Sequence, residues 1–413
     1  MHDSGEDRPA WAWIDRDALR HNARHAIACA DGRAVIGVVK ADAYGHGIAE
    51  IARGLLAEGI SRLAVISVGE GAELRRAGIV APVLLLGGLT DAAAAERALK
   101  WGLTPVLHDQ RGFELLRAIG HSGSPLSVEV EIDTGMHRMG VAPTDAHALL
   151  QQIVDTPQLS LSGLFTHLAQ ADEADLRPTR DQVAQFVELG RRFQGAVGAA
   201  SDSPALHVAN SAGLFRMGEI EPKGGELTTS AVRPGLMLYG VSPFSEKSAE
   251  SLDLDPVMTL AARVVALRSV AKGDGVGYGG DWRATRETRV ATLPIGYADG
   301  LPRSLAGRGR VYLAGAMRSI VGRVSMDYVT VDVGPSGGAA DVGAEAVSAV
   351  ELGQIATVFG RTGGGKRVPI EDLAVAAGTI GYEILVGIGN RVPRYAGNGL
   401  PPYMDPHPLT PAV

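Results

Sequence analysis

One lysine in this sequence stands where lysine is costly. Lys40 ends the apolar, β-branched run Ala34–Val39 and is followed by Ala41-Asp42-Ala43-Tyr44-Gly45-His46-Gly47. An amine at the end of a buried strand has to be paired or hydrogen-bonded. Desolvation lowers its pKa, and a neutral amine is a nucleophile that can form a Schiff base with a carbonyl. Taken alone, the same residues fit a strand-end lysine that reaches solvent. Further polar residues follow later apolar runs: Asp133, His137 and Arg138, then His167, then Asn210 with Ser211; Arg233 and Gly235 lie just before or at the start of the run Leu236–Val241. Each has a plain structural reading. A lone histidine after a strand can be a satisfied structural residue, Arg233 a surface charge, and Asn210-Ser211 the cap of a helix Ala212–Arg216. A helix start also binds phosphate through its free N–H groups.

These residues need a frame. Eight short apolar runs occur up to about residue 250: Ala34–Val39, Leu63–Ile66, Pro82–Leu86, Thr104–Leu107, Leu126–Ile132, Leu161–Phe165, Ala205–Ala209 and Leu236–Val241. Amphipathic segments such as Gly69–Ala77, Ala92–Trp101, Arg111–Ile119, Thr144–Val154 and Arg180–Ala196 separate most of them. Continuous apolar strands alternating with helices indicate parallel βαβ units, and eight of them predict a (β/α)8 barrel. Chemistry in such a barrel sits at the C-terminal ends of the strands, with phosphate often held after strands seven and eight. The polar residues above fall at those ends. Ser211 and the Gly235-Leu236 backbone are placed for a phosphate. A phosphate site together with a strand-end lysine suggests pyridoxal 5′-phosphate, with an Asp or Arg at its pyridine nitrogen.

After Asp255 the texture changes. Ala262–Arg268, Thr288–Leu293, Arg310–Leu313 and Tyr328–Val333 are short, rich in Val and Thr, and divided by Gly turns. They read as antiparallel β structure. The expected organisation is a barrel over residues 1–252, a mostly β domain over 253–395 and a proline-rich tail over 396–413. Trp11–Ile14 reads as a strand ahead of a helix Asp17–Ala30, and it is a candidate to join the second domain. Pro335–Ala349 reads as a Gly/Ala-rich surface insertion.

Composition narrows the function classes. The chain has 413 residues, 46% hydrophobic and 21% charged, with a net charge of −7 and the two signs interspersed. That is the composition of a globular protein without a nucleic-acid patch. No apolar stretch approaches the roughly 18 residues of a membrane helix. The N-terminal residues lack a secretion-signal pattern. Cys29 is the single cysteine, which excludes an intrachain disulfide and a cysteine-rich metal site. The expectations are a cytoplasmic location, no metal, no membrane and no nucleic-acid partner.

With these residues assembled, the chain resembles the alanine racemases, fold-type III pyridoxal phosphate enzymes. Val39-Lys-Ala-Asp-Ala-Tyr-Gly-His-Gly47 is similar to the family's cofactor-lysine signature. Matching segments follow in order: Ile132–Gly140, Gly163–His167, His207–Ser211, Val232–Gly235, Gly277–Gly279, Leu293–Gly300, Gly322–Asp327 and Ile380–Glu383. The resemblance covers roughly residues 10 to 395. It implies that Lys40 carries the cofactor and serves as base on one face of the substrate Cα, with Tyr278 as base on the other. It implies that His167 hydrogen-bonds Arg233, which contacts the pyridine nitrogen. Tyr44, Ser211 and Tyr382, with the Gly235 and Leu236 backbone, would hold the phosphate beside Asn210. Arg138 would reach the cofactor's phenolic oxygen and the substrate carboxylate, and Met326 would offer that carboxylate a backbone N–H. Tyr297 and Asp327 would shape the entrance. L-alanine and D-alanine would be substrate and product, with the D-alanine supplied to peptidoglycan. Family members are head-to-tail homodimers, which would bring Tyr278 and Met326 from the partner chain.

Two departures from the family pattern stand out. Many members carry a carbamylated lysine where this chain has Glu131. A native carboxylate there could pair directly with Arg138, or prove too short and leave a gap for water or an anion. Ser325 replaces a common cysteine, and Tyr328 a common glutamine. Other readings stay open on sequence alone. A serine or broad-specificity racemase differs in pocket size. A fold-type III decarboxylase would want a catalytic cysteine in the second domain. A cofactor-carrier protein on a lone barrel would end near residue 240.

Overall fold

The computed structural model describes residues 9–120, 123–197, 204–221, 229–335 and 349–400. The segment expected as an insertion at Pro335–Ala349, and the tail beyond Leu400, lie almost wholly outside the described residues. The chain opens with β1 (Ala10–Asp15) and a helix, Arg16–Cys29. Eight parallel strands then close a barrel: β2 (Ala34–Val38), β3 (Arg62–Val65), β4 (Val83–Leu85), β5 (Thr104–Leu107), β6 (Leu126–Glu131), β7 (Leu159–Phe165), β8 (Ala205–His207) and β9 (Ala231–Val232). β9 returns to pair with β2 through Ala34↔Ala231 and Val35↔Val232. Each strand-to-helix step carries its own punctuation. Asp91 and Asp109 cap their helices by accepting from Ala94 N at 2.7 Å and Gly112 N at 2.8 Å. Ser67 and Glu70 form a capping box. Such caps fix where a strand hands over to a helix.

The eighth strand is not where the apolar run Leu236–Val241 suggested. It is the two-residue β9, and Leu236–Tyr239 forms a buried 3-10 turn instead. Pro234 explains the shift, because it has no N–H to extend the ladder. Leu236, Met237, Leu238 and Tyr239 are all buried, so a fully apolar turn carries the same signature as a buried strand. Arg233 and Gly235 therefore follow the eighth strand rather than opening it.

The second part, among the described residues, is built on a ten-stranded sheet. Met258–Arg263 pairs antiparallel with both β1 and Ile355–Arg361. β1 also pairs parallel with Arg394–Gly397. The strand expected at Trp11–Ile14 thus sits among the last strands of the chain. The run Ala262–Arg268 is not one strand. It breaks at Val264-Val265 between Met258–Arg263 and Ala266–Val270, and the latter pairs with Thr288–Leu293 at the far edge of the sheet.

Candidate active site

The turn that follows Lys40 is left-handed. Ala41, Asp42, Ala43 and Tyr44 have φ of 54°, 52°, 52° and 54°, a conformation that costs L-residues roughly 1–2 kcal/mol each. Side chains hold it in place. Glu70 accepts Ala41 N at 2.8 Å on one carboxylate oxygen, and Ile66 N at 2.8 Å and Ser67 N at 3.1 Å on the other. Asp42 accepts Ile48 N at 2.7 Å. His46 donates from Nδ1 toward Tyr44 O, 2.9 Å away. Below the turn the Tyr44 ring packs on Tyr239 with centroids 4.6 Å apart, and the Tyr239 hydroxyl donates to Val38 O at 2.8 Å. The end of β2 is thereby fixed from several sides, and Lys40 with it. Burial, and then the charge of Arg138, lowers the Lys40 amine below the usual lysine range, while Glu70 pulls it the other way.

Arg138 arrives on the loop after β6. Asp133 accepts Gly135 N at 3.1 Å and His137 N at 3.0 Å, which folds the loop back and leaves Arg138 exposed. Among the described residues no carboxylate pairs with Arg138. Glu131 is turned away from it into the barrel, where its Oε2 lies 3.0 Å from His108 Nε2. The direct Glu131–Arg138 pair is therefore replaced by a buried Glu131–His108 pair. The charge of Glu131 still bears on Arg233, helping to offset the burial that lowers that guanidinium to about 10.

Arg233, just past β9, is buried and stacks over the Phe165 ring at 4.4 Å. It donates to His207 Nδ1 at 2.6 Å, His207 O at 3.0 Å and Thr166 O at 2.7 Å. The partner expected for it, His167, is not the residue bonded to it; His207 takes that place. β8 ends at His207 beside β9, whereas His167 stands beyond the end of β7, near enough only for electrostatic influence. Burial, then the charges of Arg233, Arg138 and Lys40, push the His167 imidazole down to about 3, so it is neutral. Guanidinium offers five N–H donors. Arg233 spends three on the bonds above, which leaves two with no partner among the described residues.

Ser211 is buried, and its Oγ accepts Gly235 N at 3.0 Å and Met237 N at 3.3 Å. Asn210 caps the short helix Ser211–Phe215 by accepting Gly213 N at 2.9 Å. The Leu236 N–H opens the 3-10 turn and has no partner within it. Gly235 is required here, because a Cβ would stand 2.5 Å from the Tyr44 hydroxyl. The Tyr382 ring lies 6.0 Å from that of Tyr44. Ser211, Gly235, Leu236, Tyr44 and Tyr382 thus gather beside Lys40 from four distant parts of the sequence.

Tyr278 and Met326 are not gathered with them. They lie in the sheet domain, 72% and 53% exposed, and Tyr297 and Tyr328 nearby are 44% and 51% exposed. Asp327 pairs with Arg391 at 2.6 Å. Ser325 closes its own turn, donating to Tyr328 O at 2.8 Å and accepting Tyr328 N at 3.1 Å. The residue reading missed His207 as the arginine's partner, and it missed Glu129, Arg62, Glu70 and His108 altogether. Glu129 and Glu131 did leave a signal. They alternate in Leu126–Glu131, so both face the same side of a strand otherwise destined for the interior.

An amine of lowered pKa, two guanidinium groups and a buried polar cradle gathered at one end of a closed barrel are the makings of an enzyme active site. The comparisons make the class specific. Residues 14–243 match the alanine racemase N-terminal domain and residues 257–396 the alanine racemase C-terminal domain. An alanine racemase of Sorangium cellulosum is 38% identical over 395 residues, covering 94% of this chain and 99% of the relative. The crystal structure of alanine racemase from D-cycloserine producing Streptomyces lavendulae aligns at TM-score 0.83 with 32% identity, covering 95% of this chain and 98% of that one. That of the biosynthetic alanine racemase of Pseudomonas aeruginosa aligns at 0.81 with 33% identity, covering 95% and 100%. The chain belongs to the alanine racemase family, a family of isomerases.

Proposed function

We propose that this protein interconverts L- and D-alanine with pyridoxal 5′-phosphate, using two bases on opposite faces of the substrate Cα. The observation that carries the reading is the Lys40 amine, lowered by burial and by Arg138 at the end of a barrel strand, in a site that also holds a buried arginine, Arg233, with two unspent donors. The residues fit the cofactor: Lys40 for its carbonyl, Arg233 for its pyridine nitrogen, and Tyr44, Ser211, Tyr382 and the Gly235-Leu236 backbone, beside Asn210, for its phosphate. When bound, the cofactor supplies a carbonyl for the amino group and a ring that takes up the electron pair left when Cα loses its proton.

The chain's own residues do the rest. Lys40, with its pKa lowered below the usual lysine range, is more readily free to accept a proton from Cα and return it. One fixed side chain cannot serve both faces, so a second base is needed, and we assign it to the partner subunit's Tyr278 in a homodimer. Exposure of Tyr278 and Met326 in the single chain supports that assignment. Arg138 binds the substrate carboxylate, aided by the backbone N–H of the partner subunit's Met326, while Tyr297 and Asp327 line the entrance. Arg233, always charged, disfavours protonation of the pyridine nitrogen and so limits side reactions. We assign the D-alanine to peptidoglycan synthesis.

Chiral analysis tests the reading. The protein loaded with pyridoxal phosphate is incubated with L-alanine and, separately, with L-serine. D-alanine is expected and D-serine is not. Loaded wild-type protein that forms no D-alanine defeats the proposal, and D-serine at a similar rate moves it to broader specificity. Lys40→Ala should lose both turnover and the visible absorption band of the lysine-bound cofactor.

A further inference from the structure

Behind Arg233 a chain of buried charges runs through the barrel and away from the site. His207 Nε2 lies 2.9 Å from Glu129 Oε2, and both side chains are fully buried. The other oxygen of Glu129 accepts from Arg62, at the start of β3. The order is Arg62, Glu129, His207, Arg233. The proton on His207 follows from donor chemistry. Guanidinium has no acceptor, so the nitrogen facing Arg233, Nδ1, is bare. Nε2 then carries the hydrogen and donates it to Glu129. Burial lowers the His207 imidazole, which agrees with a neutral ring. Burial works against the Glu129 carboxylate, but the hydrogen bond from His207 and the charge and hydrogen bond of Arg62 hold it below the usual carboxylate range.

We propose that Glu129 is a positioning residue for the reaction: its carboxylate fixes the Nε2–H tautomer of His207, and that tautomer alone offers Arg233 the Nδ1 acceptor that holds its free donors on the cofactor ring. The inference rests on the proposed function for its catalytic consequence, but the tautomer itself does not depend on it. Glu129 touches neither substrate nor cofactor. Its space is fixed by Gly163, where a Cβ would meet the carboxylate carbon at 2.6 Å. The carboxylate accepts from Arg62 on one oxygen and faces His207 with the other; an amide places an oxygen at only one of those two positions and an NH2 at the other. In Glu129→Gln that oxygen goes to the charged donor, Arg62, since charge-assisted bonds are the stronger. The amide NH2 then faces His207 Nε2 and drives its proton to Nδ1, against the N–H of Arg233. Removing the competing donor should reverse the fault: in the double variant Glu129→Gln/Arg62→Met the oxygen is free to accept from His207 again.

The test measures 15N spectra of histidine-labelled full-length protein loaded with pyridoxal phosphate, together with kcat and KM for alanine. Wild type is expected to show a neutral His207 protonated at Nε2. Glu129→Gln should move the proton to Nδ1 and lower kcat about tenfold or more, roughly the loss of one charge-assisted hydrogen bond on Arg233, with KM little changed. Adding Arg62→Met should restore the wild-type 15N pattern and most of kcat. A residue needed only for folding would not be rescued by a second loss. A wild-type His207 protonated at Nδ1 overturns the proposal, whether or not any variant folds. So does a Glu129→Gln enzyme with unaltered spectrum and kcat, or a double variant worse than the single. If wild type makes no D-alanine, the functional reading fails by itself, and the wild-type spectrum still decides for or against the tautomer.

Discussion

At the scale of single residues, the site works by setting protonation states before any substrate arrives. Lys40 is lowered by burial and then by Arg138. Arg138→Leu should remove the second cause and raise the pH at which the amine is free, since a nearby cation disfavours the charged amine. Uptake of pyridoxal phosphate onto Lys40, followed at its visible band against pH, should show a midpoint moved upward. A midpoint that stays put would assign the whole depression to burial. How legible were these residues? Lys40, Arg138, Ser211 and Arg233 stand out because each is a polar group abutting an apolar run. Glu129 and Arg62 do not, because neither lies at a strand's C-terminal end, where barrel chemistry is looked for. His207 lay inside a recognised motif, but only the fold reveals that β8 ends with it facing Arg233.

At the scale of elements, the left-handed turn Ala41–Tyr44 is the costliest piece of backbone among the described residues, and it immediately follows the lysine. Strain of this kind persists only where the surroundings over-determine it. Glu70 and Asp42 are those surroundings. Ala41 is exposed, so Ala41→Gly relieves φ strain without opening a cavity. It should raise stability by about 1 kcal/mol in thermal unfolding. Glu70→Ala strips acceptors from three backbone N–H groups at once and should cost roughly 1–3 kcal/mol. A neutral Glu70→Ala would mean that the turn stands without its brace. Such a turn is hard to read from the residue types, because of Ala-Asp-Ala-Tyr only Asp42 tolerates positive φ; the brace from Glu70 comes from a distant part of the sequence. The misplaced eighth strand has a kindred cause. Burial makes a strand and a buried 3-10 turn look alike, and only the missing N–H of Pro234 tells them apart.

At the scale of the whole molecule, stability and assembly carry their own tests. His46 is fully buried and held by burial to about 4, against an ordinary value of 6.5. The unfolded chain therefore takes up a proton before the folded one. Stability is complete above pH 6.5 and falls as pH drops from there toward 4, by on the order of 3 kcal/mol for this group alone. His46→Asn keeps a donor for the Tyr44 carbonyl and should flatten that part of a denaturation-against-pH curve. Assembly is tested by mixing. Lys40→Ala and Tyr278→Phe chains, each inactive alone, should regain activity when unfolded and refolded together, because a mixed pair holds one intact site. No recovery would place Tyr278 in the same site as its own Lys40. The barrel-plus-sheet plan was legible from the change of texture near Asp255, since parallel strands buried on both faces read differently from strands with one wet face.

β1 has one more consequence, which concerns time rather than space. It leaves the ribosome before the barrel, yet one of its neighbours is Met258–Arg263 and the other Arg394–Gly397. The barrel can close while synthesis continues; the sheet cannot until residue 397 has been made. Until Met258–Arg263 emerges, Trp11 and Trp13, both buried at the end, have no strand to lie against, and the other edge of β1 stays open until Arg394–Gly397 is made. Pairings between distant parts of a chain form slowly and leave apolar surface open meanwhile. The nascent protein is thus a finished barrel trailing an unsatisfied N-terminal strand, and that strand is where a chaperone would be expected to hold it.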